Sequence, residues 1–361
     1  MNDRLSRLRA AMGERGLSAL LVSAPANRRY LSGFSGSNGT LLITAAAAIL
    51  FTDGRYIIQA GREAPAFSLR EIVSPDRPLA VLLAETAGEL DLRMVGFEAA
   101  HVSVADHYAL AKALFDSPVE LDPVEGIVEA LREVKESGEL ATLRSAIAIT
   151  DAAITAVIPQ LRAEMSERQA AWMLEVAMRE GGADALAFPI IVAAGPNSAL
   201  PHACPGNDTL GTGRPIVIDM GARLDGYHAD LTRTICIGEP DAKFWEIYAI
   251  VLEAQRRALA GLHPGLRCNA VDALAREHIA AAGYSEQFGH GLGHGVGLDI
   301  HEGPSLRRAA AGQEQSGPRL QAGNVISVEP GIYLEGWGGV RIEDLALITA
   351  GGCEVLSTAR K

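Results

Sequence analysis

An α/β domain followed by an α+β domain is what this sequence predicts, and three observations carry that reading. Short apolar β-type runs alternate with helical segments over residues 1–123. The alternation breaks at Leu121-Asp122-Pro123-Val124-Glu125-Gly126. Beyond it a helical stretch gives way to strands drawn from separated parts of the chain. The expected division is residues 1–123 and 127–361, and 361 residues suffice for two cores.

Taken in order, Met1 to Arg15 mixes Asp3, Arg4, Arg7, Arg9, Glu14 and Arg15 with leucines at helical spacing, an amphipathic helix rather than a signal peptide. Ala19-Leu20-Leu21-Val22, Thr40-Leu41-Leu42-Ile43, Ile49-Leu50-Phe51-Thr52 and Met94-Val95-Gly96-Phe97 read as strands, with helices near 55–63, 78–89 and 104–115. Tyr30 to Gly39 is rich in turn-forming residues. It reads either as a connection or as a flexible aromatic-bearing loop that reaches over a neighbouring site. From Ile127 to Leu161, Val128, Leu131, Leu143, Ile147, Ile154 and Ile158 recur at helical steps, with Gly138 expected to break or bend the helix. Ser166-Glu167-Arg168-Gln169 fits a capping box opening a helix to about Arg179, ended by Gly181-Gly182. Strands are expected at 190–193, 215–219 and 227–237, helices at 242–262 and 269–281, and strand and loop from Phe288 onward.

Composition narrows the function. A hydrophobic fraction of 48% with 21% charged residues is that of a globular protein. The net charge of -12, with no Lys/Arg run, argues against nucleic acid as a partner. No uninterrupted apolar run approaches the ~18 residues of a membrane span, so no membrane partner is expected. Cys204, Cys236, Cys268 and Cys353 lie far apart without a Cys-x-x-Cys pair, which reads as reduced thiols in a cytoplasmic protein.

The chemistry concentrates in Phe288 to Glu302, where His290, His294 and His301 are set among Gly289, Gly291, Gly293, Gly295 and Gly297. A dinucleotide loop would need Gly-x-Gly-x-x-Gly ahead of a helix, but these glycines alternate and Pro304 follows. A metal site needs carboxylates from elsewhere, and two strand pairs supply them. Asp219 and Asp230 flank an Asp225-Gly226 turn that is expected to set them opposite one another. Glu329 and Glu343 flank the glycine-rich turn Gly336-Trp337-Gly338-Gly339 and are again expected to be roughly opposed. Four carboxylates balance two divalent ions, and oxygen-rich ligation with one imidazole suits Mn²⁺, with Co²⁺ or Zn²⁺ as the other candidates. Such paired ions hold a water acidic enough to attack at neutral pH.

In that order and context, Asp219, Asp230, His294, Glu329 and Glu343 resemble the metal ligands of the pita-bread metallopeptidases, in the aminopeptidase P and prolidase branch. The resemblance covers the whole chain: Tyr30–Gly39 and Phe51-Thr52-Asp53-Gly54-Arg55-Tyr56 look like that branch's N-terminal domain, and His202, His290 and His301 match its additional histidines. It implies a creatinase-like α/β domain before an α+β pita-bread catalytic domain. It further implies Asp219 bidentate on one metal, Asp230 and Glu343 bridging, and His294 and Glu329 completing one shell. His202, His301 and Glu329 would be catalytic. His290 and Arg341 would serve substrate binding, Arg341 also gripping a ligand carboxylate. The implied activity is hydrolysis of the bond between an N-terminal residue and proline, in proline-containing peptides, by a homodimer. The Gly33–Ser37 loop favours aminopeptidase P, with Xaa-Pro dipeptidase (prolidase) as the alternative and a non-catalytic binding module as a remoter one. Trp172, Trp245 and Trp337 are the only tryptophans, so the N-terminal domain has none to lend to a partner's site, a departure from some relatives.

Overall fold

The computed structural model describes residues 2–73, 75–313 and 315–361. The chain divides into two compact units, Met1–Arg132 and Glu133–Lys361.

In the first unit, helix α1 (Asn2–Glu14) leads to strand β1 (Ala19–Val22), helix α2 (Pro25–Ser32) and the hairpin β2 (Thr40–Thr44) and β3 (Ala48–Asp53). The hairpin turns sharply because Thr44 Oγ1 accepts from the backbone N–H groups of Ala46 and Ala47. Helix α3 (Ile57–Glu63), β4 (Ser68–Ile72), α4 (Leu79–Glu89), β5 (Met94–Glu98), α5 (Val104–Ala113) and β6 (Glu120–Val124) complete a six-stranded sheet in the order β4-β3-β2-β1-β5-β6. Leu21, Leu42, Phe51, Val95 and Phe97 pack against Leu82 and Leu83 of α4.

Three expectations are corrected in this unit. Strands β4 and β6 escaped the sequence reading because both are edge strands, half-exposed and polar, and β6 carries Pro123 where only an edge tolerates it. The first part of Tyr30–Gly39 is helical, ending at Gly33 with φ +78°. The rest is no free arm: Phe34 is fully buried, Arg28 Nη1 donates to the Gly39 carbonyl, and Ser35 and Asn38 bind Glu63 and Asp53. The third correction concerns the boundary. Helix α6 (Ile127–Glu133) buries Ile127 and Val128, and Arg132 Nη1 donates to Asn27 Oδ1 at 2.6 Å, so the first unit runs on to Arg132 rather than ending at 123.

The second unit opens with α7 (Ser137–Val157). The helical stretch is broken at 134–136 rather than at Gly138, because Glu136 and Glu139 form a reciprocal capping box that starts the helix afresh. Ser137–Gln160 is long and apolar enough to cross a membrane by length and composition. Here it is a core helix: Leu143, Ile147, Ile154 and Val157 are buried, and Asp151 accepts from Thr358. The capping box at Ser166 and Gln169 opens α8 (Glu167–Glu180) where expected.

Strand β7 (Ala185–Leu186) joins β10 (Ala222–Leu224) and β11 (Tyr227–His228) in one sheet; β8 (Ile191–Ala194), β9 (Ile216–Met220) and β12 (Leu231–Ile235) form another. The expected single strand 227–237 is therefore split. A Cβ on Gly221 would lie 1.9 Å from the Ala229 carbonyl oxygen, and at this close crossing the ribbon changes sheet. Helices α9 (Ala242–Gly261) and α10 (Cys268–Ala281) follow. Then come β13 (Gly293–Gly295), β14 (Glu302–Leu306), β15 (Val325–Val328), the pair β16 (Gly331–Leu334) and β17 (Gly338–Arg341), β18 (Asp344–Thr349) and β19 (Gly352–Val355). Ile247, Val251 and Ala254 of α9 and Val271 and Ala275 of α10 cover Ile326, Val328, Val340 and Ile342; Leu174 and Met178 of α8 cover Val192 and Ile218.

The two sheet systems are stitched by charge. Arg233 on β12, 1% exposed, donates to Asp344 Oδ1 on β18 at 2.9 Å and to the carbonyls of Ala359 and Glu343. Removing one member of a buried pair leaves the other short of partners, and without Arg233 the Asp344 Oδ1 loses its donor while only Oδ2 stays served, by Lys361 and Gln255. Arg233→Met is expected to cost about 3–5 kcal/mol of unfolding free energy in a urea titration, and an unchanged midpoint would contradict this role.

Candidate metal centre

The two hairpins deliver the carboxylates in different ways. The Asp225-Gly226 turn is present, with φ +46° and +79°, and it closes β10 onto β11. The ladder it sets, continued into β9 and β12, puts Thr232 and not Asp230 opposite Asp219. The expected direct opposition is thus corrected: the turn is centred one residue later than the midpoint of the two acids, which shifts the register by two. Asp230 then lies diagonally from Asp219 on the same sheet face, and one oxygen from each of Asp219, Asp230 and Glu343 falls within 4.8 Å of the others. For the second pair, Gly331 faces Arg341 and Val328 faces Asp344, so the register between them sets Glu329 opposite Glu343, as expected.

His294 enters on β13 between two glycines whose lack of a side chain is required. A Cβ at Gly293 would lie 2.1 Å from the Ser327 carbonyl oxygen, and one at Gly295 2.0 Å from that of Gly303. This packing brings His294 Nε2 to 3.3 Å from Glu329 Oε1 and 3.7 Å from Asp230 Oδ2. Its Nδ1 lies 3.0 Å from the Gly295 carbonyl, which holds a proton on Nδ1 and turns Nε2 toward the carboxylates.

Arg341 is the cation closest to this group, and it is 3% exposed. Its Nη2 donates to Asp219 Oδ2 at 2.6 Å, its Nε to Thr232 Oγ1, and its Nη1 to Tyr333 Oη and the Pro201 carbonyl. The grip on a carboxylate expected from the sequence is therefore there, aimed at Asp219. Tyr333 Oη also lies 2.9 Å from His290 Nε2. Tyr333, Thr232 (which donates to Glu343 Oε2 at 2.8 Å) and Ser327 (which donates to Glu329 Oε1) were not singled out in the sequence. Thr232 and Ser327 stand two residues from Asp230 and Glu329, an alternation that could have found them, whereas Tyr333 lies on the strand beside that of Arg341, where only the register brings the two together.

The electrostatics are those of crowded anions. Burial, then the charges of Glu343, Asp219 and Glu329, pushes the Asp230 carboxyl well above the usual carboxylate range. Burial, then Glu329 and Asp219, does the same to Glu343. Burial also raises Asp219, with Arg341 pulling the other way. At Glu329 burial is outweighed by the hydrogen bond and charge of His294, which hold it low. Two buried oxygens, Asp219 Oδ1 and Glu343 Oε1, have no hydrogen-bond partner among the described residues. Oxygens left bare beside one another in a group that one guanidinium cannot neutralise are what divalent cations require. The residues fit a metal centre.

The group opens into a cavity of about 680 Å³. His202, His301 and His290 line it with the carboxylates, and Phe188, Ile190 and Ile300 give it an apolar wall. The rings of His301 and His294 are 4.4 Å apart, and burial followed by the neighbouring His294 lowers the His301 pKa.

The raised carboxyls fix a pH sign. A group whose folded pKa exceeds its unfolded value contributes stability below the unfolded value, ~4 for Asp and Glu, and that stability is lost as pH rises through the folded pKa. Metal-stripped protein should accordingly lose stability from Asp230 and Glu343 as pH rises above ~4, and a divalent cation should restore it. The melting-temperature increment on adding Mn²⁺ is expected to grow between pH 5 and 8 and to shrink in Asp230→Asn. An increment independent of pH in both proteins would contradict it.

Known proteins resemble the chain along its whole length. The pattern of Metallopeptidase family M24 matches residues 141–350, and that of the Creatinase/Prolidase N-terminal domain residues 4–134. An Xaa-Pro dipeptidase of Pyrococcus furiosus is 33% identical over 100% of this chain and 99% of its own. A solved Xaa-Pro dipeptidase from Bacillus anthracis is 38% identical, with a TM-score of 0.93 over 99% of this chain and 98% of that one. An X-Pro aminopeptidase from Thermotoga maritima is also 38% identical, with a TM-score of 0.88 over the same shares. Matched along both units, the chain belongs to Metallopeptidase family M24, its second unit in the pita-bread fold and its first a creatinase/prolidase N-terminal domain.

Proposed function

We propose that this chain is an Xaa-Pro dipeptidase of the prolidase type, hydrolysing the bond between an N-terminal residue and a following proline. The observation that carries the reading is the group of Asp219, Asp230, His294, Glu329 and Glu343 opening into a cavity with one apolar wall and two facing histidines. The aminopeptidase P preference expected from the Gly33–Ser37 loop loses its main support, because Phe34 is buried within its own unit. The Pyrococcus furiosus and Bacillus anthracis relatives, both named Xaa-Pro dipeptidase, favour the alternative. The equal identity to the Thermotoga maritima X-Pro aminopeptidase keeps that activity as the second reading.

Asp219, Asp230, His294, Glu329 and Glu343 would hold two divalent ions, Mn²⁺ first, whose charge would polarise the scissile carbonyl and acidify a water. The chain's own residues do the rest. Glu329, held ionised, takes the proton of the attacking water at Oε2, since Oε1 accepts from Ser327, and returns it to the proline nitrogen as the C–N bond breaks. His202 and His301 donate hydrogen bonds to the peptide oxygen as negative charge develops on it. Phe188, Ile190 and Ile300 exclude water and receive the pyrrolidine ring. Arg341 orients Asp219 and works against the burial that raises its carboxyl, while His290, paired with Tyr333, borders the substrate.

With Mn²⁺ present, Xaa-Pro dipeptides are expected to be cleaved at higher kcat/KM than Xaa-Pro-Xaa tripeptides. A preference for the tripeptide would transfer the assignment to aminopeptidase P, and metal-loaded protein inert toward both would remove the peptidase reading. His202→Ala is expected to lower kcat by ~10²–10³-fold with KM and metal content little changed, the signature of a lost oxyanion donor. Undiminished kcat would refute that role.

A further inference from the structure

Glu167 is the first residue of α8 and its side chain is completely buried. Among the described residues it has no cationic partner; its carboxylate is held entirely by N–H groups. Oε1 accepts from the Ala194 backbone at 2.8 Å and from Asn197 Nδ2 at 2.9 Å. Oε2 accepts from Asn197 Nδ2 at 2.9 Å and from the Gly206 backbone at 2.8 Å. A buried charge without a counter-ion is costly unless its lone pairs are filled in this way, and the helix N-terminus at which Glu167 stands eases it further.

The donors share one property. Ala194 ends β8, Gly206 lies beyond Pro205, and between them runs the loop that carries His202. Glu167 therefore clamps both ends of that loop, and the backbone adds two bonds, Glu167 N–H to the Asp208 carbonyl and Arg168 N–H to that of Gly206. On the loop's other side Ser198 Oγ accepts from the Gly339 N–H, and Arg341 donates to the Pro201 carbonyl, immediately before His202. The His202 ring itself is exposed to the cavity and has no hydrogen-bond partner among the described residues. Its location is set by its backbone alone.

We propose that Glu167 is a positioning residue: its buried carboxylate, bonded to Ala194, Asn197 and Gly206 and to none of the proposed metal ligands, fixes the 194–206 loop so that His202 meets the developing charge. This rests on the role given to His202 above. An apolar residue of similar size would fill the same space without a desolvation cost, so filling space does not account for a buried anion. Holding two separated backbone N–H groups and one side-chain amide at once does.

The test is a double-mutant cycle on the full chain loaded with Mn²⁺, assayed on an Xaa-Pro dipeptide. Glu167→Gln turns one acceptor into a donor that faces other donors. It is expected to lower kcat roughly 10- to 100-fold, with bound Mn²⁺ per chain unchanged. Added to His202→Ala, the same substitution should change kcat less than about 2-fold, because the residue it positions is gone. An equal loss in both backgrounds would overturn the proposal as general damage to the fold, and so would an unaltered kcat in the single variant. If Glu167→Gln does not fold, Asn197→Ala removes a donor from both oxygens and serves in the same cycle, with a smaller loss that again vanishes beside His202→Ala. Failure of the underlying reading shows elsewhere, as a His202→Ala protein with undiminished kcat.

Discussion

Crowding of like charge at one point constrains the whole second unit. Asp219, Asp230, Glu329 and Glu343 converge from separate stretches of chain onto a space where Arg341 pairs with Asp219 and His294 lies within 4 Å of Asp230 and Glu329. Left to themselves such groups repel, take up protons or turn to solvent. Here three of them are held in place by donors, the Thr232 hydroxyl on Glu343, the Ser327 hydroxyl on Glu329 and the Arg341 guanidinium on Asp219, and the crowding shows instead as the raised carboxyls of Asp230 and Glu343. Rigidity of the sheets is what allows an arrangement of anions that only cations can complete.

The supports of that arrangement lie outside it. The helix pairs α7/α8 and α9/α10 bury apolar stripes against the outer faces of the strands, leaving the facing sides free for polar chemistry. Arg233 bonds to Asp344 and to the Glu343 carbonyl, so one residue next to a ligand is held by the other sheet system. A similar device recurs at the histidines. Glu302, adjacent to His301, accepts from Lys135 Nζ at 3.0 Å and from the Asp299 N–H, while Glu167 holds the ends of the His202 loop. Carboxylates are thus used twice in this protein, grouped at the candidate metal centre and as clamps on the loops that face it.

Where sequence reading missed the fold, the physical reasons differ. The edge strands β4 and β6 lack the apolar alternation of a half-buried strand because little of them is buried. The helix break fell at Glu136 rather than Gly138 because a reciprocal cap specifies a start more strongly than one glycine in a first turn specifies a stop. The Tyr30–Gly39 segment has loop composition but folds inward, since Arg28 and Asp53 satisfy its polar groups and free Phe34 to enter the core.

His202 was reached only through the resemblance to a family, but the sequence by itself determined the two-domain α/β and α+β plan, the central strands, the α8 cap, and the four carboxylates and glycine-flanked histidines as candidates for one group. Those are carried by residue type and short spacing, which turn chemistry and strand periodicity read directly. Tertiary structure alone decided how they meet. Asp219 faces Thr232 because the ladder register depends on a turn centre one residue from the acids' midpoint, and Asp230 reaches the group only diagonally. Tyr333, Thr232, Ser327 and Glu167 acquire their roles through contacts across long stretches of chain. No local pattern encodes such a contact, because it exists only once separate strands and loops are brought to hydrogen-bonding distance.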